Sequence, residues 1–98
     1  MKFSNAQILK DRHPETFYAP DLEELRTNTQ PGDFVKVCAD GKPGIYQAER
    51  FWLEVTHIDG DAITGTVANE LVCHPLEYGE SISVKLEEVY QHIAERPR

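Results

Sequence analysis

The sequence predicts a small α+β domain with a strongly bent antiparallel sheet or partial barrel of four to five strands. Three observations indicate this class. The chain has 98 residues, which fits a single domain. Residues 31–95 contain several short β-prone segments separated by glycine turns, whereas residues 1–30 mix apolar and charged side chains without strand alternation. We therefore expect a helical arm over residues 1–30, packed on a β-rich core over residues 31–95, and a C-terminal helical turn.

The N-terminal arm predicts two short helices joined by an aromatic pair. Ser4 is a candidate N-cap for the first helix, and Pro14 limits its extent. Asp21 is a candidate N-cap for the second helix. Phe17 and Tyr18 lie between the two helices, and aromatic side chains bury a large area at modest entropic cost. We expect both aromatic residues to anchor the arm to the sheet.

The segment "ERFWLEVTHIDGDAITGTVANE" predicts a β-hairpin closed at Asp59 and Gly60, because glycine accepts a positive φ without steric cost. Alternate residues on both sides of this turn are apolar and should share one face: Leu53, Val55, Ile63 and Val67. Gly65 lies between two of them, which indicates a bulge or a close neighbour.

The remaining segments predict further strands and a helical end. The pattern Gly-acidic-x-apolar occurs three times, beginning at Gly32, Gly60 and Gly79, and each copy leads into a strand. The unequal offsets show that this is a recurring turn solution and not a repeat architecture. Four apolar residues near the C-terminus fall at helical spacing and predict a short helix: Leu86, Val89, Tyr90 and Ile93.

Three stretches, "PGDFVKV", "ERFWLEVTHIDGDAITGTVANE" and "LEYGESISVKLEEV", resemble the bacterial family catalogued as domain of unknown function 2314 (DUF2314) over residues 31–89. The positions that match its pattern are Gly32, Asp33, Glu49, Trp52, Val55, Ile58, Gly60, Asp61, Ile63, Gly65, Asn69, Leu76, Gly79 and Ile82. After Asn69 the family often continues with an apolar residue and proline, whereas here the next proline is Pro75. The resemblance implies a bacterial protein but no established activity. A looser similarity to immunity proteins of bacterial toxin systems is an analogy only.

The charge balance limits the classes of partner. Ten basic residues face seventeen acidic ones, for a net charge of −7. This balance disfavours nucleic acid and anionic membranes and suits a basic protein partner or simple solubility. No apolar run reaches the roughly 20 residues of a membrane span, and the N-terminus lacks a signal-peptide pattern. We expect a cytoplasmic protein with reduced thiols.

Trp52 and Asn69 are the two binding candidates within the hairpin. Trp52 alternates with Leu53 and Val55, so it should point to the opposite face of the strand. The N-terminal helices either cover it there, or it is exposed as a binding anchor. Asn69 either makes local hydrogen bonds to the backbone at the strand exit or contacts a ligand.

The segment after Asn69 supplies the other candidates, His74 and Tyr78, which could line a pocket together with Trp52. In an extended segment, neighbouring side chains point apart, so His74 is poorly placed to activate Cys73. Two cysteines and two histidines could converge on zinc, but they lack metal-site spacing: Cys38, His57, Cys73 and His74. We expect buried thiols and surface imidazoles instead.

A pair of carboxylates near Trp52 is the remaining chemical candidate. Glu49 and Glu54 could form an acid–base pair if burial raised the pKa of one of them. No nucleophile elbow or phosphate-binding loop occurs in the sequence. We therefore assign no catalytic residue, metal or cofactor.

The sequence favours a non-enzymatic module that binds a protein partner. Two alternatives stay open: a small-ligand-binding domain or unrecognised enzyme, and an immunity or inhibitor protein against a basic toxin. The sequence does not indicate the oligomeric state.

Overall fold

A computed structural model describes residues 2–42, 44–45 and 47–94. Two short helices precede a five-stranded, unclosed antiparallel sheet with strand order β4-β3-β2-β1-β5. The elements are α1 (Ala6–Arg12), α2 (Leu22–Asn28), β1 (Phe34–Ala39), β2 (Glu49–Asp59), β3 (Ala62–Val67), β4 (Ser81–Lys85), a 3₁₀ turn (Leu86–Glu88) and β5 (Gln91–Ile93). The predicted α+β class with a partial, curved sheet is confirmed. Within the described residues, every helix is too short to cross a membrane.

The predicted hairpin is the centre of the sheet. Gly60 adopts a φ of +61° in the turn between β2 and β3, which is the conformation that favoured glycine there. Leu53 pairs with Val67, and Ile58 pairs with Ile63. The alternate apolar residues lie on one buried face, as predicted: Leu53, Val55, Ile63 and Val67.

Gly65 marks both a bulge and a close approach of two backbones. The register between β2 and β3 shifts between Val55 and His57. A Cβ atom on Gly65 would lie 2.8 Å from the backbone oxygen of Glu54 and 3.1 Å from Cβ of Leu53. The absence of a side chain at residue 65 therefore permits the bulged strand to pack at this distance.

The main core lies on the sheet face that carries these residues. The helix α2 contributes Leu25, which is 2% exposed, and the 3₁₀ turn contributes Leu86. The other buried members come from the strands and from the segment after the turn: Val35, Val37, Ala39, Phe51, Leu53, Val55, Ile63, Val67, Val84 and Val89. The short second helix is thus held by tertiary packing, because seven residues form a marginal helix in water.

A second, smaller cluster attaches the first helix to the end of β1. It contains Ala6, Ala19, Cys38 and Tyr90, with Phe17 packed against it. The rings of Phe17 and Tyr90 meet edge to face, with centroids 5.2 Å apart. Phe17 therefore anchors the arm as predicted. The same prediction for Tyr18 is wrong, because its side chain is 77% exposed.

The N-cap predictions have different outcomes in the two helices. Asp21 caps α2, where its side chain accepts a hydrogen bond from the amide of Glu23, as predicted. The cap of α1 is Asn5, which accepts from the amide of Ile8, and the prediction of Ser4 is wrong. Ser4 is instead tied to β1, because its amide donates to the carbonyl of Cys38.

The predicted C-terminal helical turn is present as a 3₁₀ turn, Leu86–Glu88, but the longer helix that the apolar spacing indicated does not form. After that turn the chain extends, and Gln91–Ile93 forms the edge strand β5 against β1. The amide of Tyr90 donates to the carbonyl of Lys36, which begins this pairing. The helical spacing of four apolar residues was misleading because Leu86, Val89 and Tyr90 reach two different clusters from a turn and an extended segment.

Candidate functional site

Trp52 lies on the face of the sheet opposite the main core. It is half-buried, and it lines a shallow depression of about 270 Å³ with Phe34, Ala68 and Ile93, which we call the Trp52 patch. Around this patch the outer face carries mainly polar side chains, including Thr64 and Ser83, whose hydroxyl groups lie 3.2 Å apart.

The position of Trp52 is fixed from two sides. Its backbone amide donates to Oδ1 of Asn69 at 2.7 Å, and its carbonyl accepts from the amide of Ala68 at 2.9 Å. Above the ring, Nζ of Lys36 lies 4.8 Å from the centroid. This is within the distance at which a cation is attracted to the face of an indole. Asn69 therefore has the local role that one of the two sequence hypotheses gave it.

His74 is 6% exposed, and it joins the segment after β3 to the rest of the molecule. Its Nδ1 lies 3.0 Å from Oε1 of Glu49, and its Nε2 lies 3.1 Å from the carbonyl oxygen of Asp40. The expectation of a surface imidazole is wrong here, because the ring lies between the Glu49 side chain and the Asp40 backbone. The thiol of Cys38 is buried, as expected, whereas Cys73 is half-buried.

Glu49 binds both His74 and the backbone beside it. Its carboxylate also accepts hydrogen bonds from the amides of Val72 and Cys73, the latter at 2.8 Å. Burial on its own would raise the pKa of Glu49, but the bonds from Val72, His74 and Cys73 outweigh it and lower the pKa below its ordinary value. We call Glu49, His74 and the two amides the Glu49 clamp. The Glu49 clamp holds the loop after β3, and both carboxylate oxygens of Glu49 accept hydrogen bonds.

Glu49 and Glu54 do not form the acid–base pair that the sequence left as a candidate. Glu49 pairs with Ala39, and Glu54 pairs with Phe34, five positions further along β2. An odd separation on a regular strand puts the two side chains on opposite faces of the sheet. Their carboxylates therefore cannot act on one substrate.

The four predicted binding residues do not form one pocket. Asn69 supports the backbone of Trp52, whereas His74 is enclosed in the Glu49 clamp. Tyr78 is 70% exposed on the loop between β3 and β4, and the lining of the Trp52 patch does not include it. A binding role for Tyr78 stays a prediction.

One pair of residues was missed at the sequence level. Nε2 of His92 lies 2.7 Å from Oδ2 of Asp33, whose side chain is fully buried. His92 also lines a cavity of about 500 Å³ between α2 and β5. The Gly-acidic pattern at the start of β1 marks Asp33 as a notable residue. Its pairing with His92 could not be predicted, because the two residues are 59 positions apart.

Within the described residues, no group of three or more histidine, cysteine, aspartate or glutamate side chains is arranged to hold a metal ion. Comparison of the chain with protein-family models, curated proteins and solved structures finds no match. The resemblance to domain of unknown function 2314 accordingly stays a prediction.

Proposed function

We propose that this protein is a non-enzymatic interaction module that binds a basic protein partner through the Trp52 patch. The supporting observation is the half-buried indole on a sheet face that the core helix α2 does not cover. Tryptophan is among the residues that contribute most to protein–protein affinity, because a large rigid ring can be desolvated at small entropic cost.

The patch is prepared for binding before any partner arrives. The backbone of Trp52 is held by Ala68 and Asn69, and Lys36 stacks on its ring. A side chain that is already ordered loses less conformational entropy when it is covered. Ile93, which is 36% exposed, extends the apolar surface to the sheet edge.

The charge of the chain supports a basic partner. With a net charge of −7, the protein attracts positively charged surfaces and repels acidic ones over about one Debye length, roughly 8–10 Å at physiological salt. On the outer face, exposed Glu54 lies on β2 two residues from Trp52 and pairs with Phe34 of the patch. Added salt should therefore slow association with such a partner.

The test uses the intrinsic probe that the chain provides. Trp52 is the single tryptophan of this chain, so the emission that the chain contributes comes from this patch alone. A partner captured from a lysate of the source cells at low salt is purified and titrated against the protein. We expect a blue shift of the emission as the ring is covered, and a dissociation constant that rises with salt.

Two variants and one control separate the patch from the rest of the surface. Trp52→Ala should weaken binding by about 100-fold, as expected for an aromatic anchor worth about 3 kcal/mol. Ile93→Ser keeps the indole and should weaken binding about fivefold to tenfold, which guards against misfolding of the first variant. Val72→Ser removes an equally apolar side chain that is 91% exposed on another loop, and it should change nothing.

Three outcomes would overturn the proposal. The first is a partner whose affinity falls as much with Val72→Ser as with Trp52→Ala. The second is a partner that binds without any change in tryptophan emission. The third is sedimentation of the protein alone as a dimer that Ile93→Ser dissociates, since the patch would then be covered by a second copy.

A further inference from the structure

The cavity between α2 and β5 has the features of a binding site separate from the Trp52 patch. Its volume of about 500 Å³ is within the range of small-molecule sites. Tyr18, Glu24 and Asn28 line it from the helical arm, and Gln91 and His92 line it from β5. His92 precedes Ile93 of the Trp52 patch, and neighbouring residues on a strand point to opposite faces. The two sites therefore lie on opposite sides of the sheet edge.

The pairing with Asp33 determines what His92 presents to the cavity. Oδ2 of Asp33 accepts the amide of Gln30 at 3.0 Å and lies 2.7 Å from Nε2 of His92. Because this oxygen is an acceptor, Nε2 is the ring nitrogen that carries the proton. When the ring is neutral, Nδ1 therefore offers a lone pair.

The second nitrogen belongs to a ring that lines the cavity. Nδ1 of His92 makes no hydrogen bond with the described residues, and the side chain retains 16% exposure. A carboxylate that orients a histidine through one nitrogen, with the other nitrogen facing a cavity, is a common arrangement in binding and catalytic sites. Here the described structure places no nucleophile or metal cluster in the lining, which supports binding over catalysis.

We propose that this cavity binds an organic ammonium group, with Glu24 as the counter-charge, Nδ1 of His92 as an acceptor and the ring of Tyr18 as a face for the cation. The exposed ring of Tyr18 stands at the cavity edge, where an aromatic face attracts a cation. No lysine or arginine belongs to the described lining. An anionic ligand would instead meet the negative charge of Glu24.

An ammonium group has two sources, a free amine and a lysine side chain of a peptide. Two probes therefore distinguish them: n-butylamine, and a lysine residue blocked at both ends as the Nα-acetyl methylamide. The neutral control is the norleucine derivative blocked in the same way, which has nearly the same shape without the charge. Binding is followed by the amide and imidazole NMR signals of Gln91 and His92.

We expect saturable shifts of these signals with both ammonium probes, at dissociation constants of about 1–10 mM, and none with the norleucine control. Tighter binding of the blocked lysine by tenfold or more would assign the site to a peptide, and equal binding would assign it to free amines. Each result supports the ammonium site. Equal shifts with norleucine, or none with any probe up to about 50 mM, would overturn it.

The variants are chosen on exposed positions, because removal of His92 would leave the buried Asp33 without this bond. Glu24→Gln and Tyr18→Leu should each weaken ammonium binding about threefold to tenfold. Glu77→Gln makes the same charge change on an exposed loop residue outside the lining and should have no effect. Equal affinity in Glu24→Gln, Tyr18→Leu and the unmodified protein would contradict the assignment.

Trp52→Ala should leave ammonium binding unchanged, since Trp52 is not part of this lining. This variant therefore tests the two proposals separately. The cavity can fail its test while the Trp52 patch retains its partner, and the reverse can also occur.

Discussion

Glu49→Gln tests whether the Glu49 clamp fixes the loop after β3. The carboxylate accepts three hydrogen bonds, from the amides of Val72 and Cys73 and from Nδ1 of His74. Oε1 accepts the bonds from Cys73 and His74, whereas Oε2 accepts the bond from Val72. Glutamine has almost the same shape but only one acceptor oxygen, so it isolates the contribution of the charge and of the second oxygen.

The expected cost follows from those three bonds. If the amide oxygen replaces Oε1, two bonds remain but change from charge-assisted to neutral, which lowers each by about 1 kcal/mol. The amide nitrogen then faces the Val72 amide, donor against donor, and that third bond is lost at about 1 kcal/mol. We expect a destabilisation of about 3 kcal/mol, a large part of the roughly 5–15 kcal/mol that holds a domain of this size.

Urea unfolding at several pH values is the assay. The pKa of Glu49 is lowered in the folded state from an ordinary value of 4.5, so the carboxylate stabilises the fold above that pH. Its contribution is lost as the pH falls through the folded-state pKa. The difference in stability between the unmodified protein and Glu49→Gln should be full at pH 7 and should shrink below about pH 4.5.

Glu54→Gln is the matched control, because it makes the same change on the same strand at an exposed outward position. It should alter stability by less than about 0.5 kcal/mol. If Glu49→Gln unfolds at the same urea concentration as Glu54→Gln, or if its deficit is the same at pH 3 and pH 7, the reasoning about the clamp is incorrect.

Two further substitutions, Gly65→Ala and Asn69→Ala, test the hairpin, and Gly79→Ala before β4 is the control for the first. Gly65→Ala should destabilise the fold by about 2–3 kcal/mol in thermal unfolding, because its Cβ would lie 2.8 Å from the backbone oxygen of Glu54. Gly79→Ala, at a φ of +83° in open space, should cost only about 1 kcal/mol by the same measurement. Asn69→Ala should cost about 1–2 kcal/mol, measured by urea unfolding, and should speed hydrogen exchange of the Trp52 amide that it leaves without a partner. Unchanged exchange there would refute the assigned role.

The hairpin was predictable because its signals are local. The glycine at residue 60 sets the turn, and the turn sets the register of both strands. Once the register is set, strand alternation decides which side chains enter the core and which face outward, including Trp52. Alternation could not decide whether anything covers the outward face, because this depends on where the helical arm packs.

Residues 91–93 and His74 were mispredicted because their contacts join distant parts of the chain. An apolar spacing that fits a helix also fits a turn followed by an extended segment when two separate clusters receive the side chains. His74 and His92 each meet a carboxylate that lies far away along the chain, Glu49 and Asp33. Contacts of this kind follow no periodic pattern in the sequence, so the sequence alone does not predict them.

The sequence by itself determined the α+β class, the central hairpin, the N-cap of α2 and the outward direction of Trp52, because turns, caps and alternation act between residues close along the chain. The tertiary structure decided the strand identity of residues 91–93, the burial of His74, the Glu49 clamp and the cavity beside His92. Those features require chain segments at least 25 residues apart to meet, and only the packing of the whole core brings them together.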